Sequence, residues 1–171
     1  VLVSLSGGVD SALVAYAANK KLGKNAVAVT ADYKTLSSEE LDSAKLLAHE
    51  IGITHHLIEY SELENENFVQ NDNKRCFYCR EELSKELIKL SNYLGIETVV
   101  DGTQSDDMGD YRPGIDALHG NGIRSPLLEV KFTKKLVRKI AKQVGLSIYD
   151  KPSNSCLASR IPWGQRVTAE K

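Results

Sequence analysis

Long apolar runs are missing from this sequence. No stretch approaches the roughly 18 apolar residues that a membrane-spanning helix needs. No basic segment followed by an apolar one precedes the first strand-like run, so a reducing, cytoplasmic setting is expected. Charge of one sign is missing as well: 22 basic and 23 acidic residues leave a net charge of −1. No overall field exists to hold nucleic acid. The expected partner is therefore a small molecule, with nucleic acid left only to a local basic patch and a homo-oligomer left open. Cysteine is scarce, and its count of three rules out complete internal pairing. In a reducing compartment, a Cys-x-x-Cys and a lone Cys point to metal or chemistry before disulfides.

What is present is the material of a globular domain. The 171 residues are 42% hydrophobic and 26% charged, enough for one domain with a real core. The chain opens on Val1-Leu2-Val3, and Thr168-Ala169-Glu170-Lys171 reads as the start of another element, so a further domain is expected beyond these residues. Strands are predicted at residues 1–5, 26–30, 55–59 and 98–101. Helices are predicted at 10–22, from a Ser37/Glu40 capping box to 51, at 79–94, and from a Thr133 cap to 144. Residues 105–113 and 150–164 read as loops, and 62–74 as a loop with some helix. There is no internal repeat. Strands alternating with helices give an α/β fold: a parallel sheet with helices on both faces. Ligands in such sheets sit at the carboxyl ends of the strands, where residues 6–11, 32–33 and 102–107 fall.

Ser6-Gly7-Gly8-Val9-Asp10-Ser11 joins the first strand to the first helix. The two glycines let main chain approach a ligand and aim N–H groups at it. The helix amino terminus adds positive potential. Ser6 and Ser11 can donate to phosphate oxygens. Asp10 would repel phosphate unless a cation lies between, which suggests Mg²⁺. The loop lacks the lysine of a Walker motif. It resembles the SGGxDS signature of the PP-loop ATP pyrophosphatases, also called adenine nucleotide alpha hydrolase-like proteins. That resemblance implies binding of ATP, cleavage between its α- and β-phosphates, and transfer of AMP to a substrate oxygen. It also implies that Thr30-Ala31-Asp32, ending the second strand, holds adenine and ribose.

Cys156 lies in Lys151-Pro152-Ser153-Asn154-Ser155-Cys156-Leu157-Ala158-Ser159-Arg160-Ile161-Pro162-Trp163-Gly164, a polar loop without period. Arg160 nearby favours a thiolate, and Ser159 with Arg160 can grip a phosphate. Cys76 and Cys79 have the spacing of a cluster or zinc site. A zinc ion would draw its fourth ligand from His49, His55, His56 or His119; a disulfide and unreactive thiols also stay open. Asp106, Asp107 and Asp110 are read either as Mg²⁺ ligands or as partners of Arg112, which itself is a candidate phosphate contact. Trp163 is read as loop packing or a ring partner for a cation. Lys131, Lys134, Lys135, Arg138, Lys139 and Lys142 are read as a solvated helix face.

The cysteine loop resembles the P-x-x-x-C-L-A-S-R-x-P-x-G segment of LarE, a family of ATP-dependent sulfur transferases. Arg75-Cys76-Phe77-Tyr78-Cys79, Asp101-Gly102-Thr103-Gln104-Ser105-Asp106-Asp107, Tyr111-Arg112-Pro113-Gly114 and Ser125-Pro126-Leu127 follow the same family in order. The resemblance covers essentially residues 1–171, read as one PP-loop domain. It implies adenylation of a carboxylate of pyridinium-3,5-biscarboxylic acid mononucleotide, with a family carboxy-terminal domain outside these residues. Sulfur would then come from Cys156 itself, or through a [4Fe-4S] cluster on Cys76, Cys79 and Cys156. Within the resemblance, Ser6, Gly7, Gly8, Asp10, Ser11, Thr30, Asp32, Gly102, Arg112, Ser159 and Arg160 are the expected cofactor contacts. A tRNA-thiolating PP-loop enzyme and a non-catalytic nucleotide- or metal-binding protein are the alternatives.

Overall fold

The computed structural model describes residues 1–109 and 112–170. Strands β1 (Leu2–Ser4), β2 (Val27–Tyr33), β3 (Thr54–Tyr60) and β4 (Val99–Val100) form one parallel sheet in the order β3-β2-β1-β4. Parallel neighbours need crossover connections, and helices supply them. Helix α1 (Val9–Leu22) links β1 to β2, and α2 (Ser38–Ile51) links β2 to β3. The short α3 (Glu66–Val69) and the long α4 (Arg75–Leu94) link β3 to β4. After β4 come α5 (Pro113–Gly120), α6 (Pro126–Glu129) and α7 (Lys134–Gln143). The expected α/β architecture is what the chain forms.

Period-two alternation divides the strand side chains between two cores. Val3 and Ala28 pack with α1, α2 and α7 through Leu13, Leu47 and Val137. Leu2, Val29 and Ala31 pack with α4 and α5 through Leu83, Leu87 and Leu118. A third cluster joins Phe68 and Val69 of α3 to Ala158 and Val167, with Cys79 and Cys156 packed against it. The loop at 150–164 is thus seated on the α3–α4 corner, and it contains one 3-10 turn, Leu157–Arg160.

Three boundaries differ from the sequence reading. Helix α4 starts at Arg75, four residues before the predicted start at 79. The turn ahead of it is closed by Asp72, whose carboxylate accepts from Lys74 N at 2.7 Å and whose carbonyl accepts from Arg75 N at 3.1 Å. Residues 105–113, read as a loop, hold a 3-10 turn at Ser105–Gly109. Helices α5 and α6 went unread because each is too short for a hydrophobic period. Their signal was Pro113 and Pro126 at the first helical positions.

Both predicted caps form: Ser37 Oγ accepts from Glu40 N, and Thr133 Oγ1 from Leu136 N, each at 3.3 Å. The reciprocal half of the capping box does not form, since the Glu40 carboxylate meets Lys151 Nζ at 3.0 Å. Asp110 and Tyr111 of the sequence motifs lie outside the described residues.

Candidate active site

The chain leaves β1 toward β2 and β3 on one side, while β4 lies on the other. This is a topological switch point, where α/β sheets open a crevice at their carboxyl ends. Ser6–Ser11 leaves β1 there, and Asp101–Gln104 leaves β4 beside it. A Cβ on Gly102 would lie 2.5 Å from Ser11 N and 2.8 Å from Ser11 Cα. The two segments are therefore in main-chain contact, and only glycine fits. Gly7 has φ +84°, and a Cβ there would lie 2.6 Å from Glu40 O. Gly8 is the amino cap of α1 and uses no side chain for it.

Within the loop, Ser6 N donates to Ser11 Oγ at 3.0 Å, and the two hydroxyl oxygens are 3.1 Å apart. Ser11 is buried, Ser6 exposed. Asp10 is the charged centre. Lys134 of α7 forms an ion pair with its Oδ2, whereas Oδ1 is buried without a hydrogen-bond partner. Burial raises the Asp10 carboxyl above its ordinary value; the hydrogen bond and charge of Lys134 oppose that, and Asp107 adds to it. An orphaned carboxylate oxygen beside a glycine-lined turn fits a cation such as Mg²⁺.

Around this centre the acidic loop is ordered by its own hydrogen bonds. Asp107 accepts from Gln104 N at 3.0 Å and pairs with Arg112 at 2.9 Å. Asp106 accepts from Lys134 N at 2.9 Å. Asp101 accepts from the Thr103 hydroxyl at 2.6 Å and the Ser125 hydroxyl at 2.7 Å, and His119 Nε2 lies 2.8 Å from that serine oxygen. Thr30 is buried, and its hydroxyl donates to Leu5 O at 2.7 Å, with His55 Nε2 at 2.7 Å. Its side chain is committed to the fold, which leaves half-buried Asp32 toward the strand end.

The cysteine loop is bound to the phosphate loop. Lys151 Nζ donates to Gly7 O and to Ser43 Oγ, both at 3.0 Å, and Ser43 Oγ donates to Gly7 O at 3.1 Å. Further along, Leu157 N donates to Thr35 O at 3.0 Å. The far end is clamped by Asn71, fully buried with φ +57°. Asn71 Nδ2 donates to Pro162 O and Gln165 O at 2.8 Å, and Oδ1 accepts from Arg75 at 2.5 Å. Arg75 also donates to Ala158 O at 2.9 Å and stacks its guanidinium 4.7 Å from the Trp163 ring. Trp163 is otherwise largely exposed, so its ring meets a cation of α4 at the loop surface. The Ser159 hydroxyl donates to Cys156 O at 2.6 Å, and Arg160 is exposed.

Cys79 and Cys156 pack against one apolar cluster, while Cys76 is exposed on the first turn of α4. Burial pushes the Cys79 thiol up to about 11, although Arg80 acts to lower it. Among the described residues, no three His, Cys, Asp or Glu side chains are grouped as metal donors. The three thiolates expected from the sequence as a cluster cage are therefore not gathered into one donor group, although two of them, Cys79 and Cys156, share the third apolar cluster. Lys134, Lys151, Asn71 and Arg75 were missed as site residues by sequence reasoning. A cavity of about 1070 Å³ opens at the amino ends of the strands, between Leu13, Ile96 and Phe132, and contains none of the phosphate-loop or cysteine residues.

Fold and phosphate loop together define a PP-loop α/β protein. The asparagine synthase family model matches residues 1–98, more than half of the chain, and the chain belongs to that family. It is 34% identical over 98% of its length to pyridinium-3,5-bisthiocarboxylic acid mononucleotide synthase of Lactiplantibacillus plantarum, spanning 61% of that protein. It is 46% identical over 99% of its length to the Synechocystis protein slr1717, spanning 63% of it. The chain thus covers less than two thirds of these relatives. A tRNA-specific 2-thiouridylase of Rickettsia rickettsii is more distant, at 24% identity over 90% of the chain and 52% of the relative. Among solved structures, the fold matches NMN synthetase from Francisella tularensis with a TM-score of 0.70, at 22% identity over 99% of this chain and 73% of that one. The resemblance to LarE read from the motifs agrees with these findings. No helix among the described residues is long and apolar enough to cross a membrane.

Proposed function

We propose that this chain is the ATP-using part of a sulfur transferase that activates a carboxylate by adenylation and replaces its oxygen with sulfur. The observation that carries this reading is the direct tie between the two loops. Lys151, five residues before Cys156, donates to the carbonyl of Gly7 in the phosphate loop. A cysteine presented from the rim of a nucleotide crevice is placed for an acyl-adenylate formed inside it. The relative named for making a bisthiocarboxylic acid mononucleotide supports a pyridinium carboxylate as the acid.

In this reading ATP lies with its phosphates over Ser6, Gly7, Gly8 and Ser11, at the amino terminus of α1. Gly102 admits the close approach of the two loops, and Asp32 borders the nucleoside. Asp10, whose Oδ1 is unpartnered, would hold Mg²⁺, and the ion would neutralise phosphate charge. Lys134, paired with Asp10, supplies a second cation to the same charges. Arg112, Ser159 and Arg160 are assigned to the acid.

A carboxylate oxygen attacks the α-phosphorus and pyrophosphate leaves. The Cys156 thiolate then attacks the acyl carbon, and AMP departs with the former carboxylate oxygen. Loss of the Cys156 Cα proton and rupture of its Cβ–S bond would release the thioacid and leave dehydroalanine. The test is acid-dependent ATP–pyrophosphate exchange together with the mass of residue 156 after turnover. Exchange with loss of H₂S from Cys156 is the expected result; exchange that survives with an unaltered, dispensable Cys156 would refute the sulfur step.

A second reading places a [4Fe-4S] cluster on Cys76, Cys79 and Cys156. It is favoured by Cys79 and Cys156 sharing one packed cluster. Anaerobic reconstitution giving about four irons per chain, lost in Cys156→Ala, would establish it and displace the sacrificial cysteine.

A further inference from the structure

Arg80 follows Cys79 on α4 and leaves the helix through a narrow gap. A Cβ on Gly114 would lie 2.7 Å from Arg80 Cγ and 3.1 Å from Cys76 O, so the missing side chain at 114 lets the arginine stem pass. The stem is thereby fixed, and Arg80 is half-buried. The groups whose charge it senses, in order, are Tyr33, Cys79, Tyr60 and Asp101. Three of these are neutral at physiological pH. Burial holds the Tyr33 phenol up at about 12 and raises Tyr60 further still.

Asp101 is the only carboxylate of the four, and its oxygens are taken by Thr103 and Ser125. Among the described residues no acceptor takes a hydrogen bond from the Arg80 guanidinium. A half-buried cation without a hydrogen-bonded anion is costly. Nearby, the hydroxyl of Tyr60 is buried with no hydrogen-bond partner. Tyr60 pairs in register with Tyr33 at the carboxyl ends of β3 and β2, and their rings stack with centroids 5.8 Å apart.

We propose that Arg80 and Tyr60 form an oxyanion subsite that receives a carboxylate or phosphate of the acid substrate, between the end of β4 and Cys79. Both groups are donors lacking an acceptor, and both lie on the α4–α5 face of the sheet. The phosphate loop leads into α1, which packs on the opposite face of the sheet, and the end of β4 borders both, so the subsite adjoins the phosphate cradle without sharing its residues. A guanidinium fork with a phenol beside it suits a planar two-oxygen acceptor. The subsite rests on the functional reading above for the identity of the acid but not for its charge.

The test is calorimetric binding to the full protein, with three probes: nicotinic acid mononucleotide, nicotinic acid riboside and nicotinamide mononucleotide. They carry carboxylate and phosphate, carboxylate alone, and phosphate alone. Arg80→Met should weaken binding of the recognised probes about tenfold or more, Tyr60→Phe about threefold, and Arg80→Lys should recover part of the loss. ATP affinity should stay unchanged in all three variants, which also shows that they are folded. Loss confined to the carboxylate probes identifies the carboxylate as the ligand; loss confined to the phosphate probes identifies the phosphate. Equal binding by wild type and Arg80→Met overturns the subsite while leaving the pyridinium acid reading intact. Failure of wild type to bind any probe, with ATP bound normally, overturns both.

Discussion

Replacing Asn71 should free the loop that carries Cys156. Beyond a long 3.5 Å contact to Ile161 O, its side chain makes three hydrogen bonds, to Pro162 O, Gln165 O and Arg75, and the residue is fully buried with φ +57°. Each neutral bond is worth about 1 kcal/mol net, and the one to the guanidinium about 2. Pro162 and Gln165 are exposed, so water can re-satisfy their carbonyls. Alanine adds about 1 kcal/mol for the left-handed backbone. Asn71→Ala should therefore cost about 4 to 5 kcal/mol, and Asn71→Gly about 1 kcal/mol less, because glycine removes the backbone penalty but none of the lost bonds. Urea denaturation measures the cost. Peptide-mapped alkylation of Cys156 under native conditions measures release of the loop, and its rate should rise in both variants. An Asn71→Gly protein destabilised by under about 0.5 kcal/mol, with Cys156 labelled at the wild-type rate, would refute the clamp.

Three more outcomes are expected. Gly102→Ala would drive a methyl into the main chain at Ser11, costing about 1–3 kcal/mol and abolishing ATP binding; calorimetry that finds wild-type affinity refutes the contact. For Asp10, burial raises the folded carboxyl above 3.8, so this residue's contribution falls as pH rises through the raised value and is then constant. Asp10→Asn should therefore gain stability relative to wild type as pH rises from 3.8 through the raised value, while losing Mg-ATP binding; a pH-independent difference in denaturation midpoint would contradict this. For Cys79, whose thiol is held up from 9.0 to about 11, stability should fall as pH rises across that window. Its alkylation should titrate near the upper value, and a midpoint below 9 would refute the burial.

The sheet was legible because each strand is short and apolar and each long helix is closed by a cap or a glycine. The phosphate loop was legible because six adjacent residues carry the whole motif. What escaped was distributed over the chain. Lys134 looked like one cation of a solvated face, and only the packing of α7 against α1 brings it to Asp10. Lys151 looked like the edge of a loop, yet its ammonium group joins Gly7, Ser43 and Glu40. Asn71 lay in a polar stretch with no period, where nothing local marks a residue whose partners are more than 90 positions away in the chain. Cys76 and Cys79 were recognised as a pair, but their placement on a helical turn depends on Asp72 starting α4 early. That start is a side-chain capping effect with no hydrophobic signature.

These connections make the two loops one mechanical unit. Glu40 joins them: its carbonyl abuts the space a Cβ would fill on Gly7, and its carboxylate pairs with Lys151 and accepts from Asn154 at 3.4 Å. Any displacement of Gly7 by entering phosphate is therefore transmitted to residues 151–154, directly before Cys156. The rest of the cysteine loop is held at Thr35, Asn71 and Arg75, none of which touches the phosphate loop. A chain fixed at one end and linked to the nucleotide at the other can move Cys156 only when the nucleotide site moves. Lys151→Met would cut that link and leave the Asn71 clamp intact. It should lower sulfur transfer at residue 156 much more than acid-dependent pyrophosphate exchange, and an equal loss of both activities would show that Lys151 serves the phosphates alone.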